Sequence, residues 1–196
     1  MAGQEEIPQT FDKPVLGFAA YSGTGKTTLL VKLLPLMKLQ GLRVAMIKQT
    51  HHDFEIDKPG KDSYELRKAG ADQVLLASDR RSALITEYEE DSAKPGLPEL
   101  VCELDLDNID LVLVEGFKHL PFAKIELHRI SQAQGNKLYD RELMFPHDKS
   151  VIAVAADADI DTGDLPLLNI NQAEEVAGFI NRWLNLQGKN NVKRCT

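Results

Sequence analysis

An apolar run, Val15 to Ala20, leads straight into Ser22-Gly23-Thr24-Gly25-Lys26-Thr27-Thr28, and an apolar-striped segment follows at once. Few sequence features restrict a fold more tightly. Glycines let the backbone turn so that successive N–H groups face one anion. A helix that begins there adds the partial positive charge of its N-terminus. The loop therefore needs a strand before it and a helix behind it. From Gly25 onward, Leu29, Leu33 and Met37 share one stripe with Leu30 and Leu34 beside them, so the spacing predicts that helix. Pro35 removes a backbone donor and predicts a kink or an early end; Gly41 marks a stop. In such a loop Lys26 reaches the β- and γ-phosphates and the Thr27 hydroxyl ligates Mg²⁺. Ser22, Gly23, Thr24, Gly25 and Thr28 complete the phosphate-binding set. The usual pattern opens with glycine where this chain has Ala20, the smallest alternative.

Beyond the loop, strand-like runs alternate with helix-like stretches, which predicts an α/β fold: P-loop NTPase-like, with a mainly parallel central sheet flanked by helices. Arg43 to Gln49 reads as a second strand. After a polar stretch with a Pro59-Gly60 turn, Asp62 or Ser63 caps a short helix ending at Gly70. Val74–Ala77 and Ala83–Tyr88 read as an additional β-hairpin or antiparallel strands, joined through Ser78 to Arg81. Asp91 to Leu97 reads as loop. Leu111 to Val114 is wholly apolar, as for a central strand buried on both faces. Ala123 to Leu127 is a further strand, and Ser131 to Ser150 reads as a mobile loop or lid. Val151 to Ala156 is a late central strand, and Asn171 caps a final helix carrying Val176, Phe179, Ile180 and Trp183. The expected organisation is a flexible lead-in over 1–13, one P-loop domain over 14–187 and a flexible basic tail over 188–196.

Further residues carry chemistry. Asp110-Leu111-Val112-Leu113-Val114-Glu115-Gly116 is an apolar strand ending in a carboxylate. Beside a phosphate loop, Glu115 can hold Mg²⁺, directly or through water, or orient an attacking water. Lys26 and Glu115 are thus the candidate catalytic pair. Lys48-Gln49-Thr50-His51-His52-Asp53 follows the second strand; Asp53 is a candidate Mg²⁺ ligand and Lys48 can offset phosphate charge. His51 and His52 point to opposite sides of an extended segment and lack nearby Cys/His partners, so a hydrogen-bonding pair fits better than zinc. Asp157, at the end of its strand, can accept from the N1 and N2 donors of guanine, or it simply closes a loop beside Asp159 and Asp161. The basic residues Lys58, Lys61, Arg67, Arg80, Arg81, Lys118 and Lys124 read singly as solvated charges, and as a set could receive a phosphorylated second ligand.

Charge and cysteine content narrow the setting. Lys plus Arg number 23 against 30 Asp plus Glu, a net of −7, which disfavours nucleic acid as a partner. No apolar run approaches the ~20 residues of a membrane span, and the polar, acidic start has no signal core. Cys102 and Cys195 stand far apart and do not suggest a disulfide framework, so the expected compartment is the cytoplasm.

The chain resembles the MobB family of molybdopterin-guanine dinucleotide biosynthesis over roughly Pro14 to Trp183. The phosphate loop alone is generic. The resemblance rests on Ala19 to Thr28, Ile47 to Asp53, Asp57 to Ala71, Leu113 to Lys118 and Val151 to Asp157 together, and the Thr50 to Asp53 loop and the Lys58 to Ala71 block are the more specific. The resemblance implies a GTP-binding P-loop protein with weak intrinsic GTPase activity, usually a homodimer. It implies an adaptor that helps a MobA-type nucleotidyltransferase attach GMP to molybdopterin. It also implies that Lys26 and Thr27 serve phosphates and Mg²⁺, that Glu115 is the second-motif acid, and that Asp157 lies near the guanine.

Other classes stay open on the sequence. An ATP-using small-molecule kinase could employ Lys137 and Arg141 on the 131–150 segment as a lid. Dimeric metal-inserting or partitioning ATPases usually carry an early lysine where this chain has Tyr21. A scaffold that binds nucleotide or molybdopterin without turnover is the third.

Overall fold

The structure, a computed structural model, describes residues 11–50, 54–89, 92–130 and 142–191. The chain divides into two compact units, residues 50–96 and the remainder. The larger unit is built on a six-stranded sheet of order β2-β5-β1-β6-β7-β8. Its strands are β1 (Val15–Ala20), β2 (Val44–Lys48), β5 (Leu111–Glu115), β6 (Lys124–His128), β7 (Val151–Ala156) and β8 (Leu167–Asn169). Every pairing in this sheet is parallel. The chain leaves β1 toward one side, to β2, and later crosses from β5 to the other, to β6. The carboxyl end of β1 therefore lies where the strand order reverses, which is where open parallel sheets bind ligands.

Strand alternation feeds both faces. Leu16, Phe18, Leu111, Leu113, Ile125 and Leu127 pack toward α1 (Lys26–Leu39) and α4 (Ala173–Asn191). On the opposite face Val15, Val112 and Val114 pack with Phe122 and with Leu97 and Val101 of α3 (Leu97–Cys102). The four apolar residues of β5 are fully buried, as a strand covered on both faces requires.

Helix α1 runs through Pro35 to Leu39, so the proline does not end it. The end comes at Gly41, which has φ +82°. There the Leu42 N–H donates to the Met37 carbonyl and the Gly41 N–H to that of Lys38, a Schellman arrangement that satisfies two orphan carbonyls. The short helix α3 falls just after the stretch expected to be loop, and β8 was not foreseen. Helix α4 continues to Asn191, past the expected boundary at 188. Asn171 is not its cap: its side chain accepts from Arg129.

Strand β6 carries an unexpected row on the α3 side of the sheet. Lys124, Glu126 and His128 are buried, Lys124 and Glu126 to 1% and 0% exposure. Part of the cover, over Lys124 and Glu126, is the segment 142–150. Met144 and Phe145 donate backbone N–H groups to the two oxygens of Glu126, at 2.8 and 2.9 Å. Asp148 lies 2.6 Å from Lys124 Nζ, which also donates to the carbonyls of Lys118 and Leu120. Lys124 is thus an internal clamp and not a solvated charge. The described part of the expected lid is bound to the sheet, and 131–141, with Lys137 and Arg141, lies outside the described residues. Burial pushes the Glu126 carboxyl up, against the two N–H donors that favour its charged form. Burial also opposes ionisation of Asp148, yet the hydrogen bonds from Lys124 and Ser150 win and hold it low.

The smaller unit holds α2 (Asp62–Lys68) and the antiparallel hairpin of β3 (Gln73–Ser78) and β4 (Arg81–Thr86). The hairpin matches the expectation. Lys61, and neither Asp62 nor Ser63, stands at the cap position of α2. Arg67 donates to Asp57 and Glu87, each at 2.7 Å, and pairs with Glu55. It is a structural hub and not a solvated cation.

Candidate functional site

The phosphate loop joins β1 to α1 at the carboxyl edge of the sheet. Gly23 and Gly25 take φ +83° and +91°, a region that costs a residue with a Cβ but not glycine. Ala20 is the last residue of β1 and extended, so alanine is accommodated there without strain. The Thr24 hydroxyl donates to the Tyr21 carbonyl at 2.8 Å, so this side chain shapes the loop from inside. Ser22, Thr27 and Thr28 are exposed at the mouth of the loop and on the first turn of α1. That turn contains no acidic residue, and no side chain caps it. An uncapped helix start keeps its N–H groups and partial positive charge for an anion.

Parallel pairing places the end of β5 beside that of β2 and next to β1, so Glu115 arrives at the loop. Its two oxygens lie 3.7 Å from Lys26 Nζ and 3.6 Å from Lys48 Nζ. The candidate catalytic pair is thus brought together, with Lys48 as a third member. Lys118 Nζ stands 5.5 Å from the centre of the Tyr21 ring, a cation–π distance. Among the described residues, Lys26, Lys48 and Lys118 stand here with the Glu115 carboxylate, an excess of positive charge that suits a phosphate ligand.

Gln49 is a residue that sequence reasoning missed. Its backbone N–H donates to the Glu115 carbonyl at 2.8 Å, and its side-chain oxygen accepts from the Phe117 N–H at 2.9 Å. A Cβ on Gly116 would come within 2.5 Å of Gln49 Cβ, so only glycine passes there. Phe117 follows at φ +50°, the one non-glycine residue with positive φ among those described. A strained turn directly after the acid fixes where Glu115 points.

Asp157 sits just past β7. It accepts from the Ile130 N–H at 2.9 Å, and Arg129 Nη1 lies 3.6 Å from its other oxygen. Asp53, His51 and His52 lie outside the described residues. Among the described residues no group of three or more His, Cys, Asp or Glu is placed to hold a metal ion. Thr27 and Glu115 offer a hydroxyl and a carboxylate, hard oxygen donors of the kind Mg²⁺ takes alongside phosphates. No helix among the described residues is long and apolar enough to cross a membrane.

A glycine-turned loop, an uncapped helix start with its lysine, and an acid at the end of a neighbouring strand define the P-loop NTPase-like class. The comparisons narrow this further. The family model for molybdopterin guanine dinucleotide synthesis protein B, MobB, matches residues 15–157. A molybdopterin-guanine dinucleotide biosynthesis adapter protein of Escherichia coli is 48% identical over 187 residues, 95% of this chain and 99% of that protein. Its namesake from Haemophilus influenzae is 43% identical over 175 residues, 87% and 89% of the two chains. The chain belongs to the MobB family. Among solved structures, Bacillus subtilis MobB superposes with a TM-score of 0.64 at 21% identity, over 86% of this chain and 96% of that one, a likeness of fold.

Proposed function

We propose that this chain is an adapter in molybdopterin-guanine dinucleotide biosynthesis that binds GTP with Mg²⁺ and hydrolyses it slowly. The observation that carries the reading is the meeting of Lys26, on the phosphate loop, with Glu115, at the end of β5. Family membership and the adapter names of the relatives support the pathway. Lys26 stabilises γ-phosphate charge, and the loop amides from Ser22 to Thr28 surround the phosphates. Thr27 and Glu115 hold Mg²⁺, and Asp53 is proposed as a further ligand. Bound there, the ion neutralises phosphate charge. Lys48 stays with Glu115 when Lys26 turns to the phosphates, keeping the carboxylate aimed to orient water. Such positioning without a committed base accounts for slow turnover. The proposed partners are a MobA-type nucleotidyltransferase, molybdopterin and a second copy of the chain, in the cytoplasm.

The test is calorimetry on Lys26→Ala. Triphosphate binding is expected to disappear; unchanged affinity refutes the site. Capture of a MobA-type nucleotidyltransferase by the wild-type chain tests the adapter role, and failure of purified components to associate counts against it.

A further inference from the structure

Arg129, just past β6, was not singled out by any motif, yet its guanidinium meets three parts of the larger unit. Nε donates to the Thr24 carbonyl at 2.8 Å, inside the phosphate loop. Nη2 donates to Asn171 Oδ1 at 2.9 Å, ahead of α4. Nη1 lies 3.6 Å from Asp157 Oδ2, while Asp157 Oδ1 accepts from the neighbouring Ile130 N–H at 2.9 Å. The side chain passes so close to the loop that a Cβ on Gly25 would stand 3.4 Å from Nε.

The planarity of one peptide bond makes this contact consequential. The Thr24 carbonyl and the Gly25 N–H share a trans peptide, so they point in opposite directions. Holding the oxygen toward Arg129 aims the Gly25 N–H the other way. Gly25 is the left-handed residue at the helix start, a position where glycine adopts several backbone conformations at little cost. The arginine's planar fork suits the task, because its donors serve several acceptors at fixed angles.

Resting on the nucleotide-binding reading, we infer that Arg129 is a positioning residue for the phosphate loop, and that Asp157 serves the site by holding Arg129 and not by reading the base. The carboxylate is buried, with one oxygen on a backbone N–H and the other facing the guanidinium. Each oxygen thus already faces a partner within this chain. Asp157, Asn171 and Arg129 form a brace that carries order from the end of β7 and the approach to α4 into the loop.

Three probes separate the roles: magnesium tripolyphosphate, which has no base, GTP with Mg²⁺ and ATP with Mg²⁺. Each is titrated calorimetrically into the wild-type chain and into Arg129→Ala, Arg129→Lys, Asp157→Asn and Asn171→Ala. Arg129→Ala is expected to weaken all three probes by about 10-fold, the scale of a charge-assisted hydrogen bond. Asp157→Asn should weaken all three by a smaller common factor, and the double variant should bind no worse than Arg129→Ala alone. Arg129→Lys restores charge without the fork and recovers only part of the loss. A folding defect with normal binding by the folded fraction would make the brace merely structural and overturn the inference. So would an Asp157→Asn loss confined to GTP, which would make Asp157 the base reader. Should Arg129→Ala fail to fold, a common loss in Asn171→Ala and Arg129→Lys supports the brace, and none overturns it. Wild-type chain that binds none of the probes refutes the nucleotide-binding reading, and the brace falls with it.

Discussion

In the larger unit, β5 is buried along its apolar length and apolar side chains fill both faces of the sheet. In the smaller unit, α2 has no buried residue, and Leu66, Leu75, Leu76 and Leu84 are exposed. Polar groups are used in opposite ways. The larger unit hides Lys124 and Glu126 under 142–150 and assembles its functional charges at the sheet's carboxyl edge. The smaller unit gathers Glu55, Asp57 and Glu87 around Arg67 in place of a core. These pairs hold the Arg67 guanidinium above its ordinary range, and Arg67 holds Asp57 below the usual carboxylate range. A unit with a core can devote an edge to chemistry. A unit whose described residues form no apolar core, with Leu75, Leu76 and Leu84 exposed on its hairpin, is suited to being completed by another surface.

Substitutions can break or sharpen this contrast. The largest effect is expected at Lys124→Ala, which strands the Asp148 carboxylate and frees the cover over β6. A loss of about 3 kcal/mol in chemical denaturation is expected, and a negligible change would show that the row is not structural. Next comes Arg67→Ala. Amide exchange over 62–86 should lose protection while the larger unit keeps its own, because the unit has few buried apolar contacts to fall back on. Uniform loss through both units would contradict a local role for Arg67.

A smaller effect concerns the edge of the sheet remote from the site. Arg43 Nε and Nη2 donate to the two oxygens of Asp110 at 3.1 and 3.0 Å, and the Arg43 N–H adds a third bond. Arg43 holds the Asp110 carboxyl down at about 2. Its folded-state pKa lies below the unfolded value of about 4, so its stabilisation is present above pH ~4 and lost as pH falls toward 2. The pair is partly exposed, so the effect stays below ~1 kcal/mol. Asp110→Asn should remove that part of the acid dependence in denaturation at successive pH values; an unaltered profile would count against the pairing. The smallest change in monomer stability, within ~0.5 kcal/mol, is expected for Leu84→Ser on the exposed hairpin. If the chain self-associates as proposed, the same variant should weaken that association in sedimentation, and an unchanged oligomeric state would count against the hairpin as the contact surface.

Local signals carried most of the architecture. The strand–loop–helix at Val15 to Leu39, the apolar run of β5 and the hairpin were readable because each is set by neighbours in sequence. What was missed depends on distant parts of the chain. Lys124, Glu126 and His128 alternate with apolar residues, as in a strand with one wet face, and Lys124 and Glu126 find their buried partners only in the 118–120 turn and the returning 142–150 segment. Gln49 matters because parallel pairing brings β2 beside β5, and Arg129 because β6 lies next to β1. Helix α3 has too few residues to show a period, and β8 too few to show alternation.

The central claim is that the edge where Lys26 meets Glu115 receives a guanine nucleotide. Calorimetric titration of the full chain with GTP and with ATP, each with Mg²⁺, tests it most directly. Tight GTP and weak ATP binding is the predicted result. Tighter binding of ATP, or no binding of either, would contradict the account.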